Sequence, residues 1–133
     1  MSSESEANKA LIRAHYQATT NGFDPAAIDA QVGEDFYDHA AGLRMGPDGV
    51  KRHLTALHAA YPDLEVTIEE MVAEGPIVAV RATWRGTPAG PAGAQPVQFG
   101  GMVFWRIADG KIRERWAAID TTAAQQPAKA TAA

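Results

Sequence analysis

Helical hydrophobic spacing is confined to the residues before Pro62, and long two-residue alternation appears only after it. That division limits the fold more than any other feature. Helices followed by hairpin-connected strands indicate an α+β protein with the helices packed on one face of an antiparallel sheet. Strictly parallel α/β architecture needs strand and helix to alternate along the chain.

The first helix is predicted from about Glu6 to Thr20, with Leu11, Ile12, Tyr16 and Thr19 at helical spacing. Asn21-Gly22 is expected to end it through a glycine at positive φ. Asp24-Pro25 reads as an N-cap followed by proline at the first helical position, opening a short helix to about Val32. Residues 34–39 read as a short extended piece carrying Phe36, Tyr37 and His39. A third helix is predicted from near Pro47 to Tyr61, with Val50, Leu54, Leu57 and Tyr61 on one stripe. Strands are expected at 64–73, 77–85, 97–107 and 111–120. A Pro/Gly loop at 86–96 and the turn Asp109-Gly110 separate the last three. Residues 1–7 and 121–133 offer little to bury and are expected to be flexible ends, leaving one domain over 8–120.

Composition removes whole classes of chemistry. The 133-residue chain has no cysteine, so thiolate metal sites, disulfides and a cysteine nucleophile are excluded. Its formal charge of −4 argues against nucleic acid as a partner. No apolar run approaches the length of a membrane span. The acidic, polar start is unlike a secretory signal, so a cytoplasmic protein is expected. The only serines, Ser2, Ser3 and Ser5, lie at the very start, which leaves no place for a Ser–His–Asp triad. There is no HExxH and no phosphate-binding glycine motif. Neither metal nor cofactor is expected.

With a two-residue turn at Asp109-Gly110, strand pairing puts Ile112, Glu114, Trp116, Ala118 and Asp120 on one face of the last strand. On that register Asp120 lies opposite Phe99 and shares the inner face with Trp116. A carboxyl in apolar surroundings is costly to ionise and is suited to proton transfer near neutral pH. The other reading of Asp120 is a strand-end cap facing water. His39, in the loop after Asp38, and Tyr16, on the inner stripe of the first helix, are the next candidates. Their plainer readings are a backbone-bonded loop histidine and a satisfied core tyrosine.

Several stretches together resemble the SnoaL-like polyketide cyclase family of the nuclear transport factor 2-like superfamily. They are Asp38-His39, GPDGVKRHL (46–54), YPDLEVTIEEMVAEG (61–75), VAVRATWRGT (78–87) and DGKIRERWAAID (109–120), followed by Gln125-Gln126. The resemblance implies a cone-shaped α+β barrel, with helices closed over a curved sheet around an apolar pocket. It also implies a homodimer through the outer sheet face. The implied activity is intramolecular aldol cyclisation of an aromatic polyketide-type ketone by acid/base catalysis, without cofactor or metal. Asp120 matches the family's acid/base position on the last strand. His39 falls where related isomerases carry a carboxylate base, and Tyr16 matches their helix tyrosine. Phe36, Trp84, Phe99 and Trp116 would then form the walls around a small hydrophobic substrate. Two departures stand out. Pro88 follows Gly86-Thr87 where many members carry histidine, and no acid stands near Val103 where ketosteroid isomerases have their second one. A hydroxylase-like or isomerase-like relative, and a non-catalytic binding module, are the alternatives.

Overall fold

In a computed structural model, which describes residues 3–90 and 92–121, three helices pack on one face of a curved, open six-stranded sheet. The elements are α1 (Ser3–Thr19), α2 (Pro25–Gln31), β1 (Val32–Asp38), β2 (Leu43–Arg44), α3 (Gly46–Ala60), β3 (Glu65–Glu74), β4 (Ile77–Gly86), β5 (Val97–Ala108) and β6 (Lys111–Asp120). Sheet order is β2-β1-β6-β5-β4-β3. All neighbours run antiparallel except β1 and β6, which are parallel. The α+β expectation is met; the sheet remains open rather than closing into a barrel.

Helix α1 starts at Ser3, three residues before the start expected near Glu6. Glu4 and Glu6 in its first turn complement the helix dipole. Gly22 does not end it at positive φ. The amides of Thr20 and Asn21 return to the Tyr16 carbonyl, and the Asn21 side chain is tied to both the N–H and the carbonyl of Val66 on β3. The Asp24 cap and Pro25 start α2 as expected, with Asp24 Oδ1 accepting from the Ala27 amide at 3.2 Å. Residues 122–133, with Gln125-Gln126 and most of the expected C-terminal tail, lie outside the described residues.

The core lies between the helices and the concave face. Val78, Val80, Ala82 and Trp84 of β4 are all buried, as two-residue alternation predicts. Ile12 and Tyr16 of α1, Ile28 of α2, and Val50 and Leu54 of α3 close on them. Burying five such side chains stabilises the fold by roughly 1.5–3 kcal/mol for each large one.

The β5–β6 hairpin departs from the expected register. Asp109 and Gly110 both have positive φ, 54° and 70°, as a type I′ turn requires. Ala108 pairs with Lys111 and Ile107 with Ile112. A bulge then inserts one residue, so that Arg106 pairs with Glu114, Trp105 with Arg115 and Gly100 with Asp120. One extra residue exchanges the two faces of every later position. Beyond the bulge, Arg115, Ala117 and Ile119 face inward, whereas Trp116, Ala118 and Asp120 face outward. The expected inner face of Trp116 and Asp120 is therefore corrected.

Arg113 explains the bulge. Its Nε donates to the Ala108 carbonyl and its Nη1 to Asp35 of β1 at 2.8 Å. Gly33 leaves room for this guanidinium, since a Cβ there would stand 2.7 Å from Arg113 Nη1. The β1–β6 pairing shifts register over the same stretch, between Val32 and Tyr37.

Candidate active site

A cavity of about 90 Å³ lies between α1, α3 and the sheet, lined by residues including His15, Tyr16, Phe36, Asp38, Trp84, Trp105 and Arg115. Its polar floor is one row across the sheet. Asp38 on β1 pairs with Arg115 on β6, which pairs with Trp105 on β5, which pairs with Val78 on β4. Residues in such a row point to the same side. Arg115 Nη1 lies 3.1 Å from Asp38 Oδ2, and its guanidinium carbon lies 5.6 Å from the centre of the Trp105 ring. A cation in that position is attracted by the ring face. Asp38 Oδ1 also accepts from the amides of Ala40 and Ala41, so the carboxylate is fixed from two sides.

Helix α1 supplies the opposite wall. Tyr16 is 4% exposed and Trp105 is 3% exposed, and their rings meet edge to face with centroids 5.7 Å apart. Burial pushes the Tyr16 phenol up to about 12, slightly offset by the nearby Trp105 indole N–H and by Arg115. The phenol is therefore a neutral donor throughout the ordinary pH range. The Tyr16 hydroxyl and Trp105 Nε1 are both buried with no hydrogen-bond partner.

His15 completes this wall. Its Nδ1 donates to Gln31 Oε1 at 2.9 Å, and its ring stands edge-on to Trp105 at 5.3 Å. Burial lowers its pKa to about 4; the Gln31 bond opposes that and the Arg115 charge adds to it. A charged imidazolium would lose its hydration here, so His15 is a neutral ring at pH 7.

Three of the residues singled out from sequence, Tyr16, Phe36 and Trp84, are brought together at this cavity. Phe99 faces the same interior and stacks on Trp84 at 6.0 Å, behind the lining. The other three lie on the convex face. His39 stacks on Trp116 with centroids 4.7 Å apart and its Nε2 donates to Glu114 at 2.8 Å. Glu114 is also bonded by Arg106, and these two partners hold its carboxyl below the usual range. Asp120 is exposed at the end of β6 opposite Gly100.

Asp38, Arg115, Trp105 and His15 were missed. Asp38 had a signal in the sequence. Phe36 was expected to be inward, and two-residue alternation then selects Asp38 rather than His39. Trp105 had one too, since it stands at two-residue spacing from Phe99 and Val103 on β5, whose pairing with β4 is unbroken. Arg115 depends on the bulge, which no local pattern displays. Among the described residues, no group of three or more His, Asp or Glu side chains is placed to hold a metal, and no helix is long and apolar enough to cross a membrane.

Comparison with known proteins identifies one family. Residues 10–127 match the family model for SnoaL-like polyketide cyclases. Comparison with curated proteins finds no match. Among solved structures, a SnoaL-like polyketide cyclase from Agrobacterium tumefaciens superposes with a TM-score of 0.74 at 23% identity, covering 89% of this chain and 94% of the other. A candidate SnoaL-like polyketide cyclase from Jannaschia sp. CCS1 gives 0.80 at 20% identity, covering 96% and 98%. AclR from Streptomyces galilaeus, a candidate hydroxylase, gives 0.73 at 23% identity, covering 90% and 78%. At these identities the structural likeness speaks for the fold.

Proposed function

The chain belongs to the SnoaL-like polyketide cyclase family, and from that premise we propose that it is a cofactor-independent acid/base enzyme of the cyclase type. Its substrate is an aromatic, ketone-bearing molecule, and its reaction an intramolecular aldol closure. One observation carries the reading: a fixed carboxylate, Asp38, and a buried hydroxyl without a partner, that of Tyr16, line the same largely apolar cavity. Such sites combine apolar walls with a few convergent polar groups.

In this reading Asp38 removes a proton from the carbon next to a ketone. The electron pair moves onto the ketone oxygen, and the Tyr16 hydroxyl donates to the enolate as charge develops there. A donor already aimed in a dry site stabilises that charge without reorganising. The enolate carbon attacks a second carbonyl of the same molecule, forming the ring bond. The resulting alkoxide recovers its proton from Asp38. No atom is gained or lost, so no redox partner is required.

The family resemblance assigns the acid/base role to Asp120 and a supporting role to His39. Their positions on the convex face favour Asp38 instead, because a group must reach the proton it transfers. The convex face also supports a homodimer. Val72, Ala79, Phe104 and Trp116 form an outward row across four strands, and Phe104 is 49% exposed. An exposed apolar row of this length is suited to a second copy of the chain. The absence of cysteine is compatible with a reducing cytoplasmic setting.

Solvent deuterium wash-in tests the activity. Wild-type protein in D₂O should catalyse exchange at carbons between two carbonyls in anthraquinone-type β-keto esters, read by mass spectrometry. Saturable binding without exchange would instead identify a non-catalytic binding module.

A further inference from the structure

Trp105 is the unexplained member of the cavity. An indole N–H is a donor with no acceptor capacity, so when buried it needs an oxygen or nitrogen opposite. Neither Trp105 Nε1 nor the Tyr16 hydroxyl beside it makes a hydrogen bond of good geometry; the indole N–H is near enough to act on the phenol but is not aligned to satisfy it. Leaving a buried donor unmade costs roughly 1–3 kcal/mol. Two such groups, both more than nine-tenths buried, line one cavity from facing elements, α1 and β5. Buried polar groups without partners call for an explanation, and a guest that makes the missing bonds supplies one.

The guest's chemistry can be read from what is already engaged. The Arg115 charge is already matched by the Asp38 carboxylate at 3.1 Å, so a carboxylate on the guest would meet no net positive charge from this pair. Both vacant groups can donate, and one can only donate. The matching guest group is a neutral acceptor with two lone pairs, which is a carbonyl oxygen. Size narrows it further. The cavity is about 90 Å³, smaller than the ~150 Å³ cavity that holds a benzene ring and room for about three waters. Only the carbonyl-bearing end of a larger molecule fits.

We propose that Trp105 Nε1 and the Tyr16 hydroxyl form a two-donor site for a single neutral carbonyl oxygen, with Trp105 as the residue that selects a ketone end over a hydrocarbon or carboxylate one. This rests on the reading that the cavity receives a carbonyl substrate. It adds Trp105 as a group that touches that substrate.

Proton–nitrogen NMR of the indole N–H groups tests this by binding alone. The chain has three tryptophans, each assignable by a Trp→Phe variant. Cyclopentanone is the probe, with cyclopentane and cyclopentanecarboxylate as shape-matched comparisons. Saturating cyclopentanone should move the Trp105 indole proton downfield and leave those of Trp84 and Trp116 in place. Cyclopentane should not move it. Trp105→Phe keeps an aromatic ring at the position and removes the donor. It should weaken cyclopentanone binding about 2- to 10-fold, the worth of one neutral hydrogen bond, and leave cyclopentane binding unchanged. An unmoved Trp105 proton at saturation, equal weakening for ketone and hydrocarbon, preference for the carboxylate, or failure of the ketone to bind would each overturn the proposal. Deuterium wash-in is a separate readout. A downfield shift without exchange would leave the two-donor site standing and remove the catalytic reading.

Discussion

Asp38 and Arg115 are register partners across the parallel β1–β6 junction, and their side chains meet at 3.1 Å on the concave face. This is the one parallel pairing in the sheet, and it brings the end of β1 over the middle of β6. The carboxylate sits at the cavity because β1 ends there, and the guanidinium because the β6 bulge turned it inward. Asp38→Ala removes the acceptor for Arg115 and for two loop amides. Breaking a buried pair typically costs ~3–5 kcal/mol. Arg115 keeps 20% of its side chain exposed, so the expected loss is about 2–3 kcal/mol. Asp38→Asn, which still accepts from Ala40 and Ala41, should lose less. Urea denaturation of the three proteins measures both values.

His15 makes stability depend on pH in a defined direction. Its pKa is about 4 in the fold, against 6.5 for the unconstrained ring. Between those values the unfolded chain binds a proton that the native chain does not, so stability rises with pH through this window. The benefit is fully present above about pH 6.5 and is lost as pH falls toward 4. By pH 5 the loss amounts to about 2 kcal/mol. In His15→Gln the titrating ring is gone. The stability difference between wild type and variant should therefore shrink by that amount between pH 7 and pH 5, as followed by denaturation at each pH. A constant difference would show that burial does not suppress protonation of His15.

The outward apolar row makes the expected dimer testable. Phe104→Glu puts a charge among Phe104's neighbours Ala79 and Trp116 without touching the concave face. Sedimentation velocity should find wild type as a dimer and the variant as a monomer with an unchanged circular dichroism spectrum. A monomeric wild type would contradict the interface.

Most of the fold was legible because its elements are locally encoded. The Val78–Trp84 alternation, the Asp24-Pro25 helix start and the Asp109-Gly110 turn each follow from neighbouring residues. The candidate site was less legible because it depends on contacts distant in sequence. Parity counted from the turn holds for Ile107 and Ile112 and fails one step later. The failure comes from Arg113 reaching Asp35, with Gly33 making space, across nearly eighty positions of chain. Gly101 marks the shifted register from the other side. A Cβ there would stand 2.7 Å from Ile119 Cα, so close strand approach needs glycine at that position. Tyr16 and Trp84 were found because helix and strand periods upstream of the bulge place them, and Phe36 because the family resemblance implied it. Asp38 could have been found by applying the same period to Phe36.

Everything proposed for the reaction depends on which aspartate moves the proton. Deuterium wash-in to a β-keto ester, run side by side on wild type, Asp38→Asn and Asp120→Asn, decides it. With Asp38 as the base, Asp38→Asn should fold and lose about 10²–10⁴ in exchange rate, the usual contribution of one acid/base group. Asp120→Asn, altered on the convex face, should exchange at nearly the wild-type rate. Exchange abolished by Asp120→Asn and retained by Asp38→Asn would contradict the assignment and return the role to the last residue of β6.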